Sequence, residues 1–148
     1  MVTVKYSDLS AAFDFVSFAA PMEHRAYISV ETGAIYWVSE LAPLDEEVPD
    51  DLETSDGYIP IPHKNDLDLG STLALRFAED ALPDSYARVE GFFRQRGAYA
   101  RFKELLAAED RLDQWYAFEA ESTERALAKW CTENAIVLSR DTEEPNQP

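Results

Sequence analysis

The chain has 148 residues, and its 29 Asp and Glu residues against 13 Lys and Arg residues give a formal net charge of -16. This charge opposes non-specific contact with nucleic acid or anionic lipid, and it is compatible with a basic protein partner. No run of about 18 apolar residues exists, and the single cysteine excludes an internal disulfide, so we expect a cytoplasmic protein without a membrane span.

The first part of the chain carries the β-strand signals. Residues 2–6 have the composition of a strand, and Ser7 is placed to cap a short helix that ends at Phe18. Between residues 27 and 38, two runs of β-branched and aromatic residues flank Gly33, which accepts the positive φ that a tight turn requires. We therefore predict an antiparallel hairpin around Gly33.

The segment of residues 40–56 is the most acidic in the chain. It contains eight Asp or Glu residues and no Lys or Arg, and prolines interrupt it. Repulsion between like charges predicts an extended, solvated loop. Residues 58–62 follow with two prolines that cannot donate hydrogen bonds, so we predict a short strand at the edge of a sheet.

Helical periodicity dominates the chain from Asp66 to Glu133. Apolar residues recur there every three or four positions, and Pro83 and Gly97 divide the region, which predicts four helices. The buried positions expected in them are Leu69, Leu73, Phe77, Ala81, Tyr86, Val89, Phe92, Phe93, Tyr99, Phe102, Leu105, Leu106, Leu112, Trp115, Tyr116, Ala126, Leu127 and Trp130.

The order of the elements, strands first and helices after, indicates an α+β fold. We predict a small antiparallel sheet with an N-terminal hairpin, followed by a C-terminal group of about four packed helices. A last strand is expected at residues 135–138. The single α+β domain then spans residues 1–138, and residues 139–148 form a flexible polar tail.

The C-terminal helices also resemble a known family. The residues that carry the likeness are Gly97, Tyr99, Arg101, Phe102, Lys103, Trp115, Tyr116, Phe118, Trp130, Cys131, Glu133 and Asn134, with Thr32, Gly33 and Trp37 in the hairpin. In these positions the chain is similar to the bacterial uncharacterised protein family 0158 of the UPF series. The resemblance implies no catalytic residues, because none is assigned in that family.

Two positions depart from that family's pattern. Ala135 stands where a glycine is expected after the helix, which leaves Asn134 to adopt the left-handed conformation of a helix C-cap. Glu119 stands where a basic residue is common, and we expect it either to lie at the rim of its helix's apolar stripe or to pair with an arginine such as Arg101.

A basic cluster interleaved with aromatic residues spans positions 92–103. Its cations are Arg94, Arg96, Arg101 and Lys103, and its aromatic residues are Phe92, Phe93, Tyr99 and Phe102. Arginine matches the geometry of phosphate and aromatic rings stack on bases, which favours contact with nucleic acid or a nucleotide. The alternative is that the aromatic rings are core and the cations face the acidic loop of residues 40–56.

Tyr36 and Trp37 are candidates for a partner surface. They are consecutive in one strand, so their side chains point to opposite faces of the sheet. One belongs to the core, and the other is either covered by a helix or offered to a partner, of which we favour the first.

The remaining polar candidates have simple structural explanations. Asp66 and Asp68 are first-turn residues of a helix, so we do not expect them to join His63 in a metal site. His24 has no catalytic partner nearby in the sequence, and Cys131 has the position of a small core residue.

These patterns lead to a functional hypothesis. No glycine-rich phosphate loop, nucleophile elbow or HExxH motif is present, so we predict no catalytic residues, no metal and no cofactor. We expect a non-enzymatic bacterial protein that binds another macromolecule, most simply a protein. The alternative is a nucleic-acid or nucleotide-handling protein that uses residues 92–103. The sequence leaves the oligomeric state open.

Overall fold

The structure, a computed structural model, describes residues 2–18, 23–39 and 49–139. The chain divides into two compact units, one drawn from residues 1–64 and 128–148 and the other from residues 65–127. The single domain expected for residues 1–138 stays a prediction. Apart from Ser139, the polar tail lies outside the described residues.

The first unit contains two small sheets. Strand β1 (Val2–Lys5) pairs in parallel with β5 (Ile136–Ser139), so the two ends of the described chain meet. Strands β2 (His24–Ser29), β3 (Ile35–Ser39) and β4 (Tyr58–Pro60) form an antiparallel sheet in the order β3-β2-β4. The fold class is therefore α+β as predicted, with a parallel strand pair that the sequence did not indicate.

The hairpin of β2 and β3 has the predicted turn. Gly33 adopts φ +81° and its backbone N–H donates to the carbonyl of Ser29. Strand β4 lies at the edge of the sheet, as its prolines required. The turn and the edge position of β4 therefore both follow from residues within those segments themselves.

One helix covers the antiparallel sheet. Helix α1 (Tyr6–Phe18) buries Leu9, Ala12, Phe13 and Val16, which recur at helical spacing, and it packs on β2 and β3. Ser7 does not cap this helix, because the helix begins one residue earlier, directly after β1. The side chain of Asp8 still lies in the first turn, where a negative charge is favourable.

The acidic segment is turned, not extended, where the structure describes it, and one buried residue anchors it. Residues 49–56 turn back on themselves, with the N–H groups of Thr54 and Ser55 both donating to the carbonyl of Asp51. Leu52 is 4% exposed, and Glu53 forms an ion pair with Arg25. The predicted extension is wrong for residues 49–56, because the buried Leu52 anchors a turn. The predicted solvation holds for most of this segment, since five of its eight residues are exposed. Residues 40–48 lie outside the described residues.

The second unit is helical. It contains α2 (Ser71–Ala81), α3 (Tyr86–Phe92), α4 (Ala98–Ala108) and most of α5 (Leu112–Glu133). A short 3-10 turn at Pro83–Ser85 precedes α3, and Gly97 caps α4 with φ +73°. The four predicted helices are confirmed, together with the two residues that separate them, but the first begins at Ser71 and not at Asp66. Asp66 lies in a short 3-10 helix, Lys64–Leu67, and Asp68 follows it with φ +58°, so the prediction that Asp68 is a first-turn residue of a helix is wrong.

The apolar stripe of α5 is narrower than predicted. Trp115 is 1% exposed and Leu127 is buried, whereas Tyr116 is 44% exposed and Trp130 is only partly buried. Tyr116 points about 100° away from Trp115 around the helix, and at this turn of α5 the packing of the unit covers Trp115 and leaves Tyr116 exposed. The prediction that Tyr116 is buried is wrong for this reason.

The end of α5 is also different from the expectation. Ala135, not Asn134, adopts the left-handed conformation, with φ +60°. The side-chain amide of Asn134 instead donates to the carbonyl of Trp130 at 2.8 Å. An alanine therefore occupies a backbone conformation that suits glycine.

Candidate functional site

Three aromatic residues of the basic cluster, Phe93, Tyr99 and Phe102, pack together toward the core of the second unit, whereas Phe92 lines a surface groove. The rings of Phe93 and Tyr99 lie 5.0 Å apart, Phe93 and Phe102 5.9 Å, and Phe102 and Trp115 5.0 Å. Phe102 is fully buried. These edge-to-face contacts hold the rings in a continuous chain, so Phe102 offers no platform on which a base can stack.

The four cations of the cluster are all exposed, and those on α4 point to different sides of the helix. Arg101 and Lys103 flank the buried Phe102 on α4, about 100° to either side of it. Lys103 lies over the ring of Tyr116, at 5.6 Å from its centroid. The structure therefore directs Arg101 and Lys103 toward different neighbours, while Arg94 and Arg96 lie in the turn between α3 and α4.

Arg101 lines a groove between α3 and α4 with a volume of ≈ 390 Å³. Its walls include Arg88, Phe92, Arg101, Glu104, Leu105 and Glu109. Arg101 also donates a hydrogen bond to the amide oxygen of Gln95 at 2.5 Å. Because two carboxylates accompany the two guanidinium groups, this groove has no net positive charge.

Tyr99 combines burial with a nearby negative charge. Burial raises the pKa of its hydroxyl, and the carboxylate of Glu119 raises the pKa further. Glu119 is partly buried and acts on a tyrosine of α4, a neighbour that the sequence did not suggest. Its pairing with Arg101 stays a prediction.

Tyr36 and Trp37 lie on opposite faces of the antiparallel sheet, as expected from their alternation. Trp37 pairs with Ala26 in the register, and its ring lies 4.7 Å from Phe15 of α1. Tyr36 packs edge-to-face against Tyr58 of β4, at 6.0 Å. Both side chains are partly buried, so the helix covers Trp37 in part and leaves it at the margin of the core.

Trp37 forms the inner end of a row of rings that we call the aromatic surface: Trp37, Phe15, His24 and Phe18. Phe15 stacks on His24 at 4.3 Å and 4°, and His24 stacks on Phe18 at 6.0 Å and 12°. Phe18 is 84% exposed. The row thus runs from Trp37, which α1 partly covers, to the exposed phenyl ring of Phe18.

The orientation of His24 is fixed by a backbone contact. Its Nδ1 lies 2.9 Å from the carbonyl oxygen of Phe15, and because a carbonyl only accepts, Nδ1 donates the proton. In the neutral ring, Nε2 then carries the lone pair. The sequence contained one indication of the aromatic surface. Phe15 and Phe18 are three positions apart on α1, and neither belongs to the set of residues that this helix buries.

The opposite face of the sheet carries a polar contact. Arg25 forms an ion pair with Glu53, and burial raises the pKa of the neighbouring Tyr27 hydroxyl, with the charge of Glu53 as the next cause. This contact attaches the acidic segment to β2. No local signal predicted it, because Arg25 and Glu53 are 28 positions apart.

The remaining candidates fit structural roles. Cys131 is buried, and burial raises the pKa of its thiol to about 11, so the thiol is protonated at neutral pH and is a poor nucleophile. Among the described residues, no group of three or more His, Cys, Asp and Glu side chains could hold a metal ion. In the same residues, no helix is long and apolar enough to cross a membrane.

Comparison with known proteins identified no relative of this chain. No family model, no curated protein and no solved structure matches the chain. The resemblance to family 0158 of the UPF series therefore stays a prediction that rests on the residues quoted for it.

Proposed function

We propose that this protein binds another protein, and that the aromatic surface of the first unit makes the contact. The observation that carries the proposal is the exposure of Phe18, 84%, at the end of a stacked row of rings. Aromatic side chains are enriched in the centres of protein interfaces, where they contribute much of the binding energy.

The stacking favours binding for a second reason. Phe18 rests on His24, which is itself held by Phe15 and by the Phe15 carbonyl. A ring that is already ordered loses little conformational freedom when a partner covers it. Burying an exposed phenyl ring then contributes roughly 1.5–3 kcal/mol from the apolar area removed from water.

A comparative capture experiment tests this proposal. Immobilised wild-type protein is compared with Phe18→Ser, which removes the exposed ring, and with Val30→Ser as the matched control. Val30 is also an exposed apolar residue, but it lies beyond the other end of β2, about 20 Å from His24 at about 3.3 Å per strand residue.

The expected result is a protein that wild type and Val30→Ser retain and that Phe18→Ser loses. With that protein purified, Phe18→Ser should raise the Kd by about tenfold or more. If all three forms capture the same proteins with equal affinity, the aromatic surface is not the binding site.

We also propose a second candidate function, contact with nucleic acid or a nucleotide. Two observations favour it: four exposed cations lie between positions 94 and 103, and α4 begins at Gly97 without a side-chain cap. Uncapped helix N-termini present N–H groups that attract anions. The buried Phe102 and the carboxylates beside Arg101 count against it.

Fluorescence anisotropy with labelled single-stranded and double-stranded oligonucleotides tests this candidate at low and moderate salt. The cluster variant changes Arg94, Arg96 and Arg101 to Glu. The control variant changes Arg76, Arg111 and Arg125 to Glu, which gives the same net charge. Salt-sensitive binding that only the cluster variant loses supports the candidate, and absence of binding at low salt removes it.

A further inference from the structure

A second groove lies between α2 and α5 within the second unit. It has a volume of ≈ 330 Å³, and its apolar floor consists of Phe77, Ala81, Ala117 and Phe118. The alanines leave a depression beside the two larger rings, because their side chains end at Cβ. The charged side chains that line it are Asp80, from α2, and Glu121, from α5.

The floor of this groove is packed from below by a buried ring. The rings of Phe77 and Phe118 lie 5.4 Å apart, and Trp115 packs against both, at 5.4 Å and 6.2 Å. Trp115 is 1% exposed, so it supports the floor from inside the core. A floor held in this way does not need to rearrange when a side chain enters the groove.

The rim of the groove is negative on both sides. Glu121 forms an ion pair with Arg125 at 3.5 Å, but both side chains are more than 70% exposed. Exposed pairs of this kind contribute little, so a cation from a partner exchanges with Arg125 at small cost. The chain's net charge of -16 adds a long-range attraction for a positive partner.

We infer that this groove is the docking site for a basic amphipathic helix of a partner protein. An apolar side chain of that helix enters between Ala81 and Ala117, and Lys or Arg residues on its flanks meet Asp80 and Glu121. Grooves between two helices commonly receive the apolar face of a third helix. The inference rests on the proposed function in one respect, that the occupant is a protein, and it uses no residue of the aromatic surface.

The groove between α3 and α4 is a natural internal control. Its volume, ≈ 390 Å³, is similar to that of the α2–α5 groove, but arginines and glutamates line it together. Groove size alone therefore predicts equal binding at the two places. Charge complementarity predicts binding of a basic segment at the α2–α5 groove.

The first experiment measures the affinity of a synthetic amphipathic helical peptide with leucines on one face and lysines on the other. One control peptide replaces each lysine by glutamate, and another replaces each leucine by serine. We expect wild-type protein to bind the first peptide at least about tenfold more tightly than either control. Equal binding of the serine peptide would show that charge alone is responsible and would overturn the inference.

The second experiment locates the charge that matters. The groove variant combines Asp80→Lys with Glu121→Lys, and the control variant combines Glu104→Lys with Glu109→Lys, which changes the net charge equally. The groove variant should weaken peptide binding by about tenfold or more, and the control variant should not. Equal weakening would mean that the peptide senses only the overall charge, which would overturn the inference.

The third experiment locates the peptide by protection of an introduced thiol. Ala117→Cys places a thiol in the groove, and Ala108→Cys places one in the α3–α4 groove, both at exposed positions. The buried Cys131, with its thiol pKa raised to about 11, reacts slowly and gives a low background. The peptide should slow alkylation of Ala117→Cys and leave that of Ala108→Cys unchanged. Protection of neither thiol, or of both alike, would overturn the inference.

The two proposals fail in different ways. The Phe18→Ser variant should bind the peptide as tightly as wild type does. If the peptide does not bind, the groove inference fails, and comparative capture with Phe18→Ser still decides the aromatic surface. If capture does not depend on Phe18 and the peptide binds, the aromatic surface fails and the groove stands.

Discussion

Replacing Gly33 by alanine should destabilise the first unit through two separate effects. Gly33 adopts φ +81°, a conformation that side-chain-bearing residues rarely adopt. A Cβ atom at this position would also lie 2.8 Å from the backbone carbonyl oxygen of Thr3. Thr3 belongs to β1, where it pairs with Val137 of β5, so relief of the contact requires movement of paired backbone.

The expected magnitude follows from these two terms. Left-handed backbone costs an alanine roughly 1–2 kcal/mol, and forcing an atom into a packed site costs roughly 1–3 kcal/mol. The loss of glycine's freedom in the unfolded chain offsets roughly 0.4–1 kcal/mol of this. We therefore expect Gly33→Ala to lower the free energy of unfolding by about 1–5 kcal/mol.

Substitutions at two other glycines measure the backbone strain and the close contact separately. Gly97 has φ +73°, but no atom lies within 4 Å of the place that a Cβ atom would occupy, so Gly97→Ala should show the backbone strain alone. Gly91 lies within α3 with open space around it, and Gly91→Ala should stabilise the protein by roughly 0.5–1 kcal/mol.

Urea unfolding followed by circular dichroism and tryptophan fluorescence measures each change, with the slope m as the check on two-state behaviour. The order of stabilities should be Gly91→Ala, wild type, Gly97→Ala and Gly33→Ala. If Gly33→Ala costs no more than Gly97→Ala at an unchanged slope, the close approach to Thr3 does not exist in solution.

Five further substitutions test other parts of the structure. Ala135→Gly should raise the free energy of unfolding by up to about 1 kcal/mol, because the left-handed strain at φ +60° disappears; a lower urea midpoint would contradict that conformation. Trp115→Ala should cost about 3–5 kcal/mol, since its indole is at the centre of the helical core, whereas Tyr116→Ala should cost much less. Leu52→Ala should lower the free energy of unfolding by about 2–4 kcal/mol, because the buried Leu52 side chain anchors the acidic segment. An unchanged urea midpoint would show that this segment is not anchored in solution. Burial raises the pKa of Cys131 from 9.0 to about 11, which disfavours its ionised form in the folded protein. Stability should therefore fall as the pH rises from 9 toward 11, and alanine at this position should make that fall smaller. The fall that remains comes from tyrosines such as Tyr27 and Tyr99, whose pKa values burial also raises.

The sequence predicted where many residues of the candidate site lie, but it did not predict which residues they contact. The cations of the basic cluster are exposed as their charge requires, and the helix break at Gly97 is where it was predicted. The burial of Phe102 was predicted from its helical spacing to Leu105 and Leu106 and is confirmed, because that signal is local. The exposure of Phe18 was not predicted, because its neighbour His24 belongs to a different element.

The sequence by itself determined the features whose cause is local. Glycine permits the positive φ of the hairpin turn, Pro60 restricts β4 to an edge, and helical periodicity sets out α2 to α5, because each effect acts within a few residues of the chain. The tertiary structure decided the features that join distant residues. Val2 pairs with Ile136, and Arg25 pairs with Glu53, across separations that leave no periodic signal in the sequence. Such contacts form only where the packing of the whole fold offsets the entropy of closing long loops, so they follow from the fold and cannot be read from any one segment.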